Sequence, residues 1–252
     1  MSKRAEFDSI WTRAEPGARR PRYTRDQIAA TALEIADREG IDAVSMRRVA
    51  VELGAGTMTL YHYVRGKDEL LDLMDDAIMG QVLVPAEALE AGWREALAAI
   101  ARNSCNAFLR HPWAVEGLRG AHGGPNSMRH FEQTLAAVAS LDLALADKLD
   151  LVSIVDDYVF GFVQRTGELE RESDGIEDHL GSVLPYFQSL VETGDYPHIA
   201  ELFAGHDMVS GFQMVMQAFR ADGRFERGLE RVLDGLELWI ERLQASGTKR
   251  NA

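Results

Sequence analysis

The chain of 252 residues carries a single cysteine, Cys105, so it has no internal disulfide to form, and a reducing cytoplasm is the expected location. No apolar run approaches the roughly 20 residues needed to span a bilayer. The opening residues, Met1 to Asp8, lack the apolar core of a secretory signal, so no membrane partner is expected. Strand-like alternation bounded by turn residues is missing too, which leaves an all-α fold. The sequence offers no phosphate-cradling glycine loop, no His/Cys/Glu set at metal-ligand spacing and no supported Ser-His-Asp grouping. The reading as a helical enzyme therefore has little to rest on. Neither a cofactor nor a metal is expected, and His179, His198 and His206 read as scattered loop-edge residues.

Basic charge is also scarce overall: the net charge of −13 argues at first against nucleic acid, because phosphate repels an acidic surface. The deficit is uneven. Up to Lys67 there are 12 Lys and Arg against 9 Asp and Glu, whereas the remainder has 15 against 31. Between Arg19 and Arg25 stand four arginines with no acid among them. A basic end joined to an acidic body is the charge pattern of a nucleic-acid-binding segment attached to a part that does not bind it.

What the chain has in abundance is apolar spacing of period 3.6. Residues 1–22, interrupted by Pro16, Gly17 and Pro21, read as a flexible basic arm. Thr24 and Gln27 form a capping-box pair, and Ile28, Ala32, Ile35 and Ala36 follow on one face until Gly40. Ser45 caps a second, short helix with Val49, Ala50 and Leu53 inward. Gly54-Ala55-Gly56 breaks it, and Thr57 is expected to cap a third helix ending before Gly66. A fourth begins near Lys67, favoured by Asp68 and Glu69 at its N-terminal dipole, and stops before Pro85. Further helices are expected over 91–110, 113–120, 126–140, 144–168 and 225–243. The stretch 170–223 resists parsing, holding apolar pieces between Gly194, Gly205 and Gly223. The parts implied are an arm at 1–22, a small helical domain at 23–68, a larger helical domain at 69–245, and a tail at 246–252.

The informative stretch is Ser45 to Val64. Two short helices joined by a glycine turn make a helix-turn-helix, whose second helix is just long enough to lie in a major groove. Thr57, Met58, Thr59, His62 and Tyr63 are its outward residues, with Tyr61 shared between packing and backbone contact. Arg47, pointing away from the Val49/Leu53 face, has the reach for a bidentate contact to guanine. Ser45 lies at the same edge, Lys67 at a helix start suits a phosphate, and Arg19, Arg20 and Arg22 suit a neighbouring minor groove.

The segment Tyr23–Leu73 resembles the N-terminal domain of the tetracycline-repressor (TetR) family. The matching features are Ala36-Asp37-Arg38-Glu39-Gly40, Ser45-Met46-Arg47-Arg48-Val49-Ala50, Leu53-Gly54, Thr59-Leu60-Tyr61-His62-Tyr63-Val64 and Lys67 followed by Asp68-Glu69-Leu70-Leu71. Residues 93–162 resemble the C-terminal domain of tetracycline-repressor type, less specifically, through Arg110-His111-Pro112-Trp113, Gly124-Pro125-Asn126-Ser127-Met128-Arg129 and Asp157-Tyr158-Val159-Phe160-Gly161. The resemblance implies a homodimer that binds a palindromic operator in double-stranded DNA and releases it when a small hydrophobic or drug-like effector binds. It also places Arg47 on a base-contacting position, Thr59, Tyr61, His62 and Tyr63 on the recognition helix, and Lys67 on a phosphate. Activation by the same fold is the alternative reading.

Where such proteins place their pocket, this sequence has Trp93, Asn103, Phe108, His111, Trp113, His122, Met128, Phe131, Asp157, Tyr158 and Phe162, an aromatic set suited to a sizeable apolar ligand. Alignment on Pro125 puts Gly120, not His122, at the metal-contacting histidine of tetracycline-binding members, so a metal-free hydrophobic effector is expected. Dimer contacts are expected from Leu149, Val152, Val155, Val159 and Phe160, and from Leu229, Val232, Leu236 and Ile240, as a four-helix bundle. Either stripe is equally able to bury into its own subunit.

Overall fold

The capping signals act as the sequence suggests. In the computed structural model, which describes residues 9–15, 22–117, 123–173 and 176–248, α1 (Arg25–Glu39) starts at a complete capping box. The Gln27 N–H donates to the Thr24 hydroxyl at 3.1 Å, and the Thr24 N–H donates to Gln27 Oε1 at 3.0 Å. Gly40 ends the helix at φ 84°, a value that L side chains rarely adopt. Ser45 caps α2 (Met46–Glu52), accepting from the Arg48 N–H at 3.2 Å. Next come α3 (Thr57–Leu60) and α4 (Lys67–Val82), with Gly56 rather than Thr57 at the N-cap of α3.

After a short α5 (Ala86–Leu89) the chain forms α6 (Trp93–Arg110), α7 (Pro112–Gly117), α8 (Pro125–Ala137) and α9 (Leu145–Ser173). The stretch that resists parsing consists of α10 (Ile176–Glu192), α11 (Pro197–Leu202) and α12 (Met208–Arg220), before the final α13 (Arg224–Thr248). Gly194 and Gly205, both at φ 83°, and Gly223, at φ 70°, fall between the helices. Pro185 lies inside α10, where it removes one backbone donor. Among the described residues there is no strand, and no described helix is long and apolar enough to cross a membrane.

The chain divides into two compact units, Met1–Val163 with Gly247–Ala252, and Gln164–Ser246. In the first, Ile28, Ile35, Val49, Leu60, Val64, Leu70, Met74 and Ile78 form one continuous core, which Ala114 of α7 also joins. The helix-turn-helix and the start of the C-terminal helices therefore share apolar contacts, and α4 packs on α1, α6 and α8. In the second unit α10 packs on α11 and α12.

One sequence expectation needs correction, and one that was left open is decided. Residues 9–15, read as part of a loose arm, are docked. Ile10 is buried in the shared core, and a 3₁₀ turn runs over Ile10–Thr12. Arg25 holds the segment from below, its Nη1 donating to the carbonyls of Ile10 at 2.9 Å and Arg13 at 3.0 Å. Arg13 in turn pairs with Glu69 of α4 at 2.5 Å. One of the four arginines in the acid-free run is thus buried as a structural anchor. Of the two readings left open for the helical stripes, burial in their own chain holds for Val152, Val155, Val159, Leu229, Leu236 and Ile240. The apolar side chains left exposed on these helices are Leu145, Leu149, Ile154 and Phe160 on α9, and Leu238 and Leu243 on α13.

Candidate functional site

Arg47 and Arg48 are neighbours in the first turn of α2, and their surroundings separate them. Arg48 is enclosed by acids: it donates to Glu39 at 2.7 and 3.2 Å and to Glu52 at 2.6 Å. Arg38 adds a bond to Glu52 at 3.0 Å. Hydrogen bonds from Arg48 hold the Glu39 and Glu52 carboxyls below the usual range, and those same bonds raise the Arg48 pKa further. This network ties the end of α1 to α2. Arg47 stands exposed on the other side of α2, its planar fork of donors open to a base edge or a phosphate.

α3 is a single turn, and the chain leaves it through the turn at Tyr61–Tyr63. Leu60 and Val64 anchor this piece in the core. Met58 (75% accessible), Tyr61 and His62 are exposed, while Thr57 and Thr59 are half-buried. Tyr63 is buried in the shared core. The outward reading of Tyr63 fails because Tyr63, three residues after Leu60 and next to Val64, lies on the same inward face as those two, its N–H and that of Val64 both bonding the Leu60 carbonyl, at 2.8 and 2.9 Å. Ser45 is exposed while its hydroxyl caps α2, and Lys67 is exposed at the first position of α4. Arg22 stacks over Tyr23, 5.6 Å from the ring centroid, and the Tyr23 hydroxyl reaches the Leu53 carbonyl at the end of α2. Arg19 and Arg20 lie outside the described residues, as does His122.

The C-terminal candidates separate into groups. Phe108 of α6 meets Phe160 of α9 at 5.1 Å between centroids, and Tyr158 meets Phe162 at 6.3 Å. Trp93 is half-buried at the start of α6, whereas Met128, Phe131 and Asp157 are exposed. Three candidates hold the fold together. Asn103 donates its amide to the Leu83 carbonyl at 3.0 Å. The His111 ring is buried, with Nδ1 facing Asp37 Oδ1 at 2.8 Å and Nε2 facing the Gln81 amide at 3.1 Å. Because a carboxylate only accepts, the proton sits on Nδ1. Trp113 donates its indole N–H to the same Asp37 oxygen at 2.8 Å.

Other polar residues were missed at the sequence level, since nothing local marks them. Gln133 of α8 pairs with both backbone groups of Val84, at 3.1 and 2.7 Å. Asp76 of α4 accepts from the N–H groups of Asn126 and Ser127, at 2.8 and 3.1 Å, and so caps α8 from a distance. His130 of α8 is kept neutral by burial, which pushes its pKa down, and its buried Nδ1 has no partner among the described residues.

Burial, reinforced by Asp157 next to it, pushes the Asp156 carboxyl up to about 6, against an ordinary 3.8. Between those two pH values the folded protein keeps a proton that the unfolded chain gives up, so stability falls as pH rises from about 4 to about 6. Asp156→Asn cannot ionise and should raise stability at pH 7.5 by on the order of 2–3 kcal/mol, with the gain vanishing near pH 4. Denaturant titrations at both pH values measure this, and an equal effect at the two would rule out ionisation as the cause.

Comparison with known proteins fits this geometry. The family profile for bacterial regulatory proteins of the tetR family matches residues 28–74, and that for the tetracyclin repressor-like C-terminal domain matches residues 85–240. The HTH-type transcriptional repressor DrrR1 of Streptomyces coeruleorubidus is 35% identical over 88% of this chain and 80% of its own. The class D tetracycline repressor of Escherichia coli is 24% identical over 78% of this chain and 92% of its own. The solved structure of apo ActR from Streptomyces coelicolor superposes with a TM-score of 0.65 at 31% identity, covering 90% of this chain and all of that one. With both halves matched and a repressor this similar over most of its length, the chain belongs to the TetR family of transcriptional regulators and is not an enzyme.

Proposed function

We propose that this protein is a homodimeric repressor that binds a palindromic operator through two copies of the Arg47–Lys67 surface and leaves it when a hydrophobic effector occupies the region between α6, α8 and α9. The observation that carries the DNA-reading half is the exposure of Arg47, Met58, Tyr61, His62 and Lys67 on a helix-turn-helix anchored in the core by Leu60 and Val64. In that setting Arg47 and the start of α3 read bases, while Ser45, Tyr61 and Lys67 hold phosphates. A second copy supplies the other half-site about one DNA turn, roughly 34–36 Å, away. Leu145, Leu149 and Ile154, exposed on α9, are the surface for that copy.

The effector half rests on the aromatic pairs Phe108/Phe160 and Tyr158/Phe162 and on ActR, whose structures in complex with (S)-DNPA and with actinorhodin are similar to this chain at 31% and 30% identity. An effector releases DNA only if it binds the DNA-incompetent state more tightly, and a swing from 99% to 1% bound needs about 5.5 kcal/mol of such preference. Selection of duplexes from a random pool tests the DNA half directly. Enrichment of a palindrome by the full-length protein is expected, followed by release of that duplex by an aromatic effector, with actinorhodin as the first probe. Binding without sequence preference, fading equally for all duplexes as salt rises, would refute the operator reading.

A further inference from the structure

We infer that the corner where α6 gives way to α7 is part of the DNA-reading apparatus: His111 and Trp113 are positioning residues that fix the last turn of α1, and through it α2, at the placement two half-sites require. This rests on the operator-binding dimer proposed above.

Three consecutive residues at the end of α1 face two different partners. Asp37 points to the α6–α7 corner, where one carboxylate oxygen accepts both His111 Nδ1–H and the Trp113 indole N–H, each at 2.8 Å. Arg38 and Glu39 point to α2, bonding Glu52 at 3.0 Å and Arg48 at 2.7 Å. α2 in turn carries Arg47. The far side of the His111 ring is held by Gln81 in the last turn of α4, so one buried imidazole joins α1, α4 and the corner.

Apolar contacts already join these parts, with Met74, Ile78 and Ala114 in the same core as α1. They are non-directional. Hydrogen bonds converging on one oxygen are not, because they weaken steeply once distance and angle depart from optimum. A shift of about 1 Å between α1 and the corner is enough to break the Asp37 node. Directional contacts here therefore fix position, which in a two-site DNA reader is the spacing between recognition surfaces.

The test uses the full-length protein and the operator recovered by selection. Affinities are measured for that operator and for versions with a base pair added or removed between its halves. Wild type should discriminate strongly between spacings. In Asp37→Ala the discrimination ratio should fall about 30-fold, the worth of the two hydrogen bonds lost. Asp37→Asn keeps an oxygen able to accept from both N–H groups and should retain the ratio, and Trp113→Phe, losing one of the two bonds, should fall between them. A protein that is merely destabilised loses affinity for every spacing alike. An unchanged ratio in Asp37→Ala, or such a uniform loss, overturns the positioning role alone. A wild-type protein that enriches no duplex overturns the operator reading, and this role with it.

Discussion

Gly124→Ala is expected to lower the unfolding free energy by at least about 3 kcal/mol, although its backbone is in an ordinary extended conformation. Gly124 has φ −72° and ψ 166°, which alanine adopts freely, so the objection is to volume. A Cβ at this position would fall well inside van der Waals contact with the Asp76 carboxylate and lie 2.7 Å from the Asp76 Cβ. The carboxylate has no easy retreat, because Asp76 is buried and bonded to the first turn of α8. Displacing it strips the Asn126 and Ser127 N–H groups of their acceptor and leaves a buried charge poorly paired. Overpacking alone costs typically 1–3 kcal/mol, and the lost charged hydrogen bonds add about 1.5–3 each. Equilibrium denaturation measures the sum. A double-mutant cycle with Asp76→Ala sharpens it: once the carboxylate is gone the added methyl has room, so the two effects should be far from additive. Additivity would refute the steric account.

Arg47→Ala is expected to reduce operator affinity by about 30-fold to more than 10⁴-fold, because a bidentate base contact is worth roughly 1–3 kcal/mol and a dimer loses two of them. Binding isotherms on the selected operator should show the fall, and base preference at the contacted position should relax. The informative control is Arg48→Ala. Arg48 is engaged by Glu39 and Glu52, so its loss should loosen the α1–α2 connection and leave the base preference of bound duplexes unchanged. If Arg48→Ala shifts that preference and Arg47→Ala does not, the two arginines have been assigned the wrong way round.

The features legible in the sequence are those decided within one turn of helix. Thr24 and Gln27 are three residues apart, and Ser45 reaches the Arg48 N–H at the same spacing. Period-3.6 patterning marked the buried faces of α1 and α4, and Gly40 marked a helix end. The family resemblance rested on the same compact stretch, because a helix-turn-helix packs most of its defining residues into some twenty positions. The stretch 170–223 was opaque because Gly181 and Pro185 stand inside α10 and Gly211 inside α12, and residues that ordinarily mark helix ends hid continuous ones.

The sequence by itself thus determined the all-α class, the helix-turn-helix and the family. Tertiary structure decided which polar and apolar groups remain free to act. Ile10, read in a loose arm, proved anchored by Arg25, Tyr63 turned inward, and Arg48 was paired while Arg47 stayed open. His111 left the effector candidates to join α1, through an Asp37 that lies 74 residues away. Asp76 found the start of α8 across 50 residues. Periodicity states that a residue has a buried face, but not what covers it. A partner so distant in sequence is chosen by where the packed helices bring it, and no local spacing records that choice.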